Sequence, residues 1–229
     1  MTRLGAALLA LAMTAAPGLA QTPEQDAQFD AATEAVRDRD FRRAIALFEP
    51  LAEADVPDAQ FNLAVLLQQG RGRPQNHVDA LYWSALALLA DGSYAQDMVD
   101  DLLDSLPPGA REDVVNRLLK RLMAQAGDGR MDAPRKLARV YTELMAEPDV
   151  RSGYIWFSIC HALGENDCTE GRDDAADELE PEDLIDIQAE AGKIFAGLPF
   201  SQPAALADIP EDDTGAQCCV EAAMPRPGP

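Results

Sequence analysis

The residues best suited to catalysis are few and scattered in this sequence. The two histidines, His77 and His161, lie far apart, and no His-x-x-x-His pair is present that could hold a metal on one helix face. His161 directly follows Cys160, but successive residues of a helix point in different directions, so this pair does not favour zinc binding. Ser-x-x-Lys, Gly-x-Ser-x-Gly and phosphate-binding glycine-rich motifs are also missing from the sequence. We therefore expect no enzyme activity, no metal site and no cofactor.

The N-terminus has the pattern of a secretory signal peptide. Arg3 precedes an apolar run from Leu4 to Ala16, and a small-x-Ala ending predicts cleavage after Ala20. The run is too short to span a membrane as a helix of the mature protein, and an uncleaved anchor is the alternative. Because Gln21 and not a cysteine would follow the cut, lipid anchoring is not indicated. Residues 1–20 are thus predicted to direct the chain to the periplasm or out of the cell.

Charge and cysteine content narrow the classes of partner further. With 40 acidic and 19 basic residues the formal net charge is −21, which disfavours nucleic acid and anionic membrane surfaces as partners. A solvated surface is the simplest explanation of the acidity. The four cysteines are Cys160, Cys168, Cys218 and Cys219, and an even number of cysteines in an exported chain indicates disulfide bonds.

The stretch 59–87 predicts two helices joined by a tight turn. Apolar residues recur at spacings of three and four on each side of the sequence Gly70-Arg71-Gly72-Arg73-Pro74. The glycines supply the turn, the proline ends the first helix, and Asn76 is placed to cap the second helix. A hairpin of this kind cannot bury its apolar face alone, so it predicts further helices beside it.

At these residues the stretch resembles one Sel-1-like repeat, a relative of the tetratricopeptide repeat. The family pattern is A-x-Y-N-L-G-x-x-Y-x-x-G-x-G-x-x-x-D-x-x-x-A-x-x-W-x-x-x-A, and about ten positions agree in order and spacing. Phe61 stands at the first Tyr, Ala64 at the Gly, Leu67 at the second Tyr and Asn76 at the usual Asp. The resemblance implies an all-α fold, a right-handed α-solenoid of stacked helical hairpins.

A second copy of this module follows the first. Trp83 and Trp156 are the only tryptophans, and equal offsets from them pair Ala87 with Cys160 and Ala95 with Cys168. The chain is therefore predicted to hold two modules of about four helices each. The helices are predicted within residues 21–197, at about 22–37, 40–54 with a kink at Pro50, 59–70, 76–87, 94–105, 110–126, 132–146, 150–163, 166–179 and 181–196. From 198 to 229, prolines and an acidic run predict a disordered tail.

The spacing of Cys160 and Cys168 resembles that of cysteine-rich secreted members of the Sel-1-like family, whose pairs bridge adjacent helices. The resemblance implies a Cys160–Cys168 disulfide, and two small buried thiols are the alternative. Cys218 and Cys219 either pair between chains or remain reactive. Some of those members are described as penicillin-binding or weakly β-lactam-hydrolysing. A β-lactam- or peptidoglycan-recognising enzyme is therefore the alternative function.

The function that the resemblance implies is a non-enzymatic scaffold for protein–protein or peptide binding in the cell envelope. In the related tetratricopeptide fold, the first helix of a hairpin faces the concave groove. Phe61 and Val65 of the first module and Arg135 and Arg139 of the second module hold such positions. These four predict a site for an extended peptide with an apolar side chain and a carboxylate. The alternative is that the arginines pair with surface acids such as Asp132 and Glu143.

Overall fold

The computed structural model describes residues 22–201 of the chain. These residues contain ten α-helices and no β-strand. The predicted all-α class is confirmed. The helices are α1 (Pro23–Arg37), α2 (Phe41–Glu53), α3 (Pro57–Gln68), α4 (His77–Leu89), α5 (Gln96–Ser105), α6 (Pro108–Gly127), α7 (Ala133–Arg139), α8 (Val150–Ala162), α9 (Cys168–Asp177) and α10 (Pro181–Gly197). The predicted signal peptide, and the tail from 202 onwards with Cys218 and Cys219, lie outside the described residues.

Side-chain caps fix where several helices begin. Thr22 and Gln25 form a capping box at the start of α1, with bonds of 2.9 and 3.2 Å between backbone and side chain. Asp40, Asn76 and Asp149 each accept a hydrogen bond from the backbone N–H three residues further on, at the starts of α2, α4 and α8. These bonds satisfy N–H groups that have no partner within the helix. The predicted caps at Thr22, Asp40 and Asn76 are confirmed.

Gly70 and Gly72 form the turn between α3 and α4, as predicted, and both have positive φ. Gly70 has φ of +65° and Gly72 of +81°. A Cβ added to Gly72 would lie 2.6 Å from the backbone oxygen of Phe41, so the turn also packs against α2 too closely for any side chain. Helix α3 already ends at Gln68. Pro74 therefore lies beyond the turn and does not end the helix, contrary to the prediction.

The helices pack mainly on their neighbours along the chain. Helix α3 packs on α4, which also contacts α5 and α6, and in the same way α7 packs on α8, which also contacts α9 and α10. We call α3–α6 the first module and α7–α10 the second module. Trp83 and Trp156 are each the seventh residue of a 13-residue helix and are 8% and 5% exposed. Both indoles are thus buried at equivalent positions, as predicted.

Helix α7 is shorter than the helix predicted over 132–146. It ends at Arg139, and the chain continues as one wide π-turn over Val140–Leu144. The π-turn lies where α8 crosses closely, because a Cβ added to Gly153 would be 2.4 Å from Cγ2 of Thr142. Periodicity in the sequence cannot reveal such a widening, since it records the apolar face of a helix and not the distance to its neighbour.

A cluster of polar contacts ties the connection between α2 and α3 to helix α6. Asp55, with φ of +60°, accepts hydrogen bonds from Arg121 at 3.0 Å, from Gln125 at 2.8 Å and from Arg130 at 3.2 Å. The side chains of Arg121 and Asp55 are 17% and 12% exposed. Because burial strengthens such contacts and makes an unpaired charge costly, the cluster fixes α6 against the preceding helices.

Ordered contacts continue past the predicted domain boundary at residue 197. A short 3-10 turn, Pro199–Ser201, follows α10. Leu198 and Phe200 are partly buried and pack against the core. The ring centroids of Phe195 and Phe200 are 6.3 Å apart.

Candidate functional site

A cleft of about 490 Å³ opens between the two modules. Its walls are the turn after α4, helix α7 with its π-turn, and helices α8 and α9. We call it the inter-module cleft. The lining residues are Leu88, Asp91, Ser93 and Gln96 from the first module and Arg135, Arg139, Glu143, Phe157, Asp167, Glu170, Gly171 and Asp174 from the second.

Arg135 joins the two modules at one wall of the cleft. Its Nη1 and Nη2 donate to Oδ1 and Oδ2 of Asp91 at 2.6 and 2.7 Å, a bidentate pair. Asp91 lies in the turn after α4 with φ of +66°, a conformation that Asp tolerates better than most residues do. The hydrogen bond from Arg135 outweighs burial and holds the pKa of the Asp91 carboxyl below its usual range. The pair therefore stays ionised at neutral pH.

Arg139 lies one helical turn further along α7 and is also engaged. Its Nη1 donates to the backbone oxygen of Leu88 at 3.1 Å, close to the C-terminus of α4, where a cation is favoured by the helix dipole. Its Nε and Nη2 donate to the Glu143 carboxylate at 2.9 Å. Arg139 therefore links the second module to the end of α4 and is held in place by a carboxylate of its own helix segment.

The two arginines are paired with acids, which is one of the two alternatives that the sequence left open. Arg139 pairs with Glu143, as that alternative expects. Arg135 pairs with Asp91, whereas Asp132 pairs with other cations, Arg130 and Lys136. A ligand carboxylate would have to displace Asp91 or Glu143 from these guanidinium groups.

Carboxylates outnumber guanidinium groups along the cleft. Besides the paired Asp91 and Glu143, three acids line it at the start and along α9: Asp167, Glu170 and Asp174. Two arginines therefore face five carboxylates, and the local potential is negative. A cationic ligand group would find carboxylates already placed around it.

The apolar part of the cleft lies where α9 passes over α8. Leu88 and Phe157 are 4% and 7% exposed, and both line the cleft. A Cβ added to Gly171 of α9 would lie 2.6 Å from Cζ of Phe157. The absence of a side chain at Gly171 therefore allows α9 to approach the Phe157 ring and to form the second wall.

Cys160 and Cys168 lie at disulfide distance beside this wall. Their Sγ atoms are 1.95 Å apart, and both residues are fully buried. Cys160 belongs to the last turn of α8, and Cys168 is the first residue of α9. The acids on α9 follow directly after the second cysteine, so a bond here fixes their position relative to α8.

Phe61 and Val65 lie on α3, away from the inter-module cleft. Both are partly buried, and neither is among the residues that line the cleft. The Phe61 ring packs edge-on against Tyr94, with centroids 5.0 Å apart, and the Tyr94 hydroxyl donates to Oδ1 of Asp58 at 2.6 Å. The structure thus brings Arg135 and Arg139 together in one cleft but does not bring Phe61 and Val65 to it.

Several cleft residues were missed in the sequence. Asp167, Glu170 and Asp174 recur at spacings of three and four, the signal of one helix face, and an acidic stripe could have been predicted from it. Nothing local to Asp91 or Phe157 marks them. Their role depends on contacts with residues more than ten positions away.

Other chemistry is sparse in the part of the chain that the structure describes. His161 Nδ1 lies 3.1 Å from the Thr169 hydroxyl, and no group of His, Cys, Asp or Glu side chains within residues 22–201 has an arrangement suited to a metal ion. None of the helices in this range is both long and apolar enough to cross a membrane. No protein-family model matches the sequence, and no curated protein is significantly similar to it.

Proposed function

We propose that this chain is a non-enzymatic scaffold of the cell envelope, a right-handed α-solenoid of the Sel-1-like kind, that binds an extended segment of another protein in the inter-module cleft. The position of the cleft supports this proposal most. It lies between two modules with the same helix order, and repeat proteins commonly bind partners on surfaces that neighbouring repeats form together. The predicted signal peptide and the buried cysteine pair support an oxidising compartment.

The chemistry of the cleft favours a segment that carries both an apolar and a basic side chain. The apolar chain would contact Leu88 and Phe157. A Lys or Arg would meet the carboxylates of Glu170 and Asp174, for which no ion pair within residues 22–201 is found. Charge-assisted hydrogen bonds of this kind fix the orientation of a peptide. The earlier expectation of a ligand carboxylate is therefore replaced by that of a ligand cation.

A binding measurement with two labelled peptides tests the proposal. We expect a peptide of alternating Leu and Lys to bind the mature protein in fluorescence anisotropy, and a peptide of alternating Leu and Glu not to bind. The double substitution Glu170→Lys with Asp174→Lys should abolish binding. The matched control is Asp26→Lys with Asp30→Lys on α1, which makes the same change in net charge at exposed positions outside the cleft.

Equal loss of binding in both double variants would mean that only net charge matters, and the cleft would then not be the site. A crosslinker at Gln96, which lines the cleft, extends the test to natural partners in an envelope extract. Turnover of nitrocefin by the mature protein would contradict the non-enzymatic part of the proposal and favour the β-lactam-recognising alternative.

A further inference from the structure

A second groove, of about 560 Å³, lies among helices α8, α9 and α10 of the second module. We call it the C-terminal groove. It shares no lining residue with the inter-module cleft, so what it binds does not depend on the function proposed above. Within residues 22–201 no helix follows α10, whereas the first module is followed by the second.

The first module has the same surface, and there the next module covers it. Only about 10 Å³ of free space is left among α4, α5 and α6. Leu144 of the π-turn lines this space and is 7% exposed, and the π-turn packs on α6. A leucine on a helical segment therefore closes the surface. The wall around it includes Leu81, Ala85, Leu103, Val115 and Leu118.

The equivalent positions of the second module form the wall of the C-terminal groove. Trp83 and Trp156 are 73 residues apart. At the same separation, the five wall residues of the first module correspond to Tyr154, Ser158, Ala176, Gln188 and Ala191, and all five line the groove. Alanines replace the leucines at 103 and 118, so the groove has room for a side chain larger than that of Leu144.

The groove wall also carries polar atoms that its counterpart lacks. Ser158 Oγ is shielded from solvent and has no hydrogen-bond partner within residues 22–201, which is costly unless a partner is supplied. The Tyr154 hydroxyl accepts a bond from Gln188 Nε2 at 3.1 Å. A tryptophan suits such a wall, because its indole is larger than a leucine side chain and its N–H can donate to a hydroxyl oxygen.

The helices beside the groove carry a strong negative charge. Residues 173–186, from α9 into α10, contain eight acidic residues and no basic one. Within residues 22–201 an ion pair is found for one of the eight, Asp173, whose partner is Arg172 on the same wall. That pair is neutral as a whole, so the remaining carboxylates set the local potential and favour a basic partner.

We propose that the C-terminal groove binds a basic amphipathic helix of another protein, which inserts a tryptophan between α9 and α10. The helix covers the second module as the segment with Leu144 covers the first. Its lysines and arginines face the carboxylates of α9 and α10. Recognition of this kind, with an apolar helix face in a groove, recurs among peptide-binding proteins.

A labelled helical peptide tests the proposal. It has about 18 residues, or five turns, with lysines on one face and leucines around one central tryptophan on the other. We expect it to bind the full mature protein in fluorescence anisotropy. Replacing its tryptophan by alanine should weaken binding about tenfold or more, as for a buried aromatic anchor. Glutamates in place of the lysines should prevent binding. A tryptophan peptide that did not bind would overturn the proposal.

A filled groove distinguishes this site from the inter-module cleft. Ala176→Leu with Ala191→Leu gives the groove the leucines of the first module without changing the net charge. The variant should bind the helical peptide about tenfold more weakly, with unchanged helical circular dichroism. The extended peptide of alternating Leu and Lys should bind it as it binds the wild type. Equal binding of the helical peptide by both proteins would show that it binds elsewhere and would contradict the proposal.

Photo-crosslinking identifies the occupant without altering these wall residues. A Cβ added to Gly192, which lines the groove, would meet no atom within 4 Å, so benzoylphenylalanine can be placed at position 192. It should crosslink to the tryptophan peptide and much less to the alanine peptide. In the absence of peptide, crosslinks to residues after 201 of the same chain, or to a second copy, would show that the protein fills its own groove. Either result would overturn the proposal.

Discussion

The two modules have the same helix order but differ at one equivalent position. The first module has an aromatic contact there, and the second has an open cleft. When positions are counted from Trp83 and Trp156, Tyr94 corresponds to Asp167. When the first helices of the modules are aligned, Phe61 corresponds to Arg135. In the first module the aromatic rings of Phe61 and Tyr94 pack edge to face across this position. In the second module Arg135 and Asp167 are found on the walls of an open cleft. The same helix order therefore gives a packed contact in one copy and an open cleft in the other.

The connection between the second and third helices also differs. In the first module, Ala87 and Ala95 are fully buried. The backbone hydrogen bond from Gly92 N–H to the Ala87 oxygen, 3.0 Å, is shared, because Glu165 N–H donates to the Cys160 oxygen at 3.4 Å. In the second module, Cys160 and Cys168 take the alanine positions at disulfide distance. The module with the open cleft thus gains a covalent restraint where it lacks the aromatic contact. The comparison suggests that an open charged cleft between helices requires other restraints to hold its walls in place.

The largest effect is expected from the tryptophans that the modules share. Trp83→Ala and Trp156→Ala should each lower the free energy of unfolding by about 3–5 kcal/mol, because each leaves a cavity in the core. Urea unfolding of both variants measures the comparison directly. If one substitution cost less than about 1 kcal/mol, a typical value for any substitution, the two positions would not be energetically equivalent.

Next in size is the disulfide that only the second module has. The double variant Cys160→Ala, Cys168→Ala gives the second module the alanines of the first. It should lower the free energy of unfolding by about 2.5 kcal/mol, as the chain-entropy model predicts for a nine-residue loop. Reductant should lower the stability of the wild type by a similar amount and leave the double variant unaffected. Alkylation mapping of material from the periplasm that found both thiols reduced would contradict the pairing.

A smaller effect is expected where α8 crosses the π-turn. Gly153→Ala should cost about 1–3 kcal/mol through overpacking, because its Cβ would lie 2.4 Å from Cγ2 of Thr142. Adding Thr142→Ser removes that methyl group and should restore most of the loss. The matched position of the first module is Ala80, which is fully buried. Ala80→Gly should cost about 0.5–1 kcal/mol through backbone entropy, and more through the loss of a buried methyl group, but it relieves no crowding. Thermal unfolding of the three variants tests whether the close crossing belongs to the second module only.

The smallest effect separates two contacts by pH, the pair of Asp91 with Arg135 between the modules and the pair of Tyr94 with Asp58 within the first module. The pKa of Asp91 is lowered by Arg135, so this contact stabilises the protein above the unfolded value of about 3.9 and is lost as the pH falls through the lower folded value. Burial first, and then the hydrogen bond to Asp58, raise the pKa of Tyr94. The buried hydrogen bond of Tyr94 to Asp58 therefore stabilises the protein below about pH 10, and this stabilisation is lost as the pH rises further.

Two variants test the opposite pH dependence of these two contacts. Because its side chain is 64% exposed, Asp91→Asn should cost no more than about 1 kcal/mol at neutral pH. The difference from wild type should shrink below about pH 3.9 and vanish once the pH is below the lowered pKa of the folded state. Tyr94→Phe should differ from wild type at neutral pH and converge with it, or exceed it, only in alkaline solution. Parallel pH profiles for both variants would contradict the assignment of opposite charge chemistry to the two contacts.

Local features of the fold could be predicted because they depend on residues close in sequence. The caps at Thr22, Asp40 and Asn76 involve side chains three residues away from the N–H groups they bind. The two-module period followed from equal offsets around the tryptophans. The π-turn after Arg139 could not be predicted, because it depends on how closely α8 approaches Thr142.

The candidate site was predicted only in part for the same reason. Arg135 and Arg139 were selected from their positions on one helix, and the structure places both in a cleft. Glu143, four residues after Arg139, was within reach of the sequence, but the partners across the cleft are distant: Asp91 is 44 residues before Arg135, and Leu88 is 51 residues before Arg139. The sequence by itself determined helices and caps, which arise from contacts of three or four residues' separation, and the repeated positions, which recur at equal offsets from the two tryptophans. Only the tertiary structure decided which charges meet and that the cleft is acidic, because those contacts form when distant helices pack together.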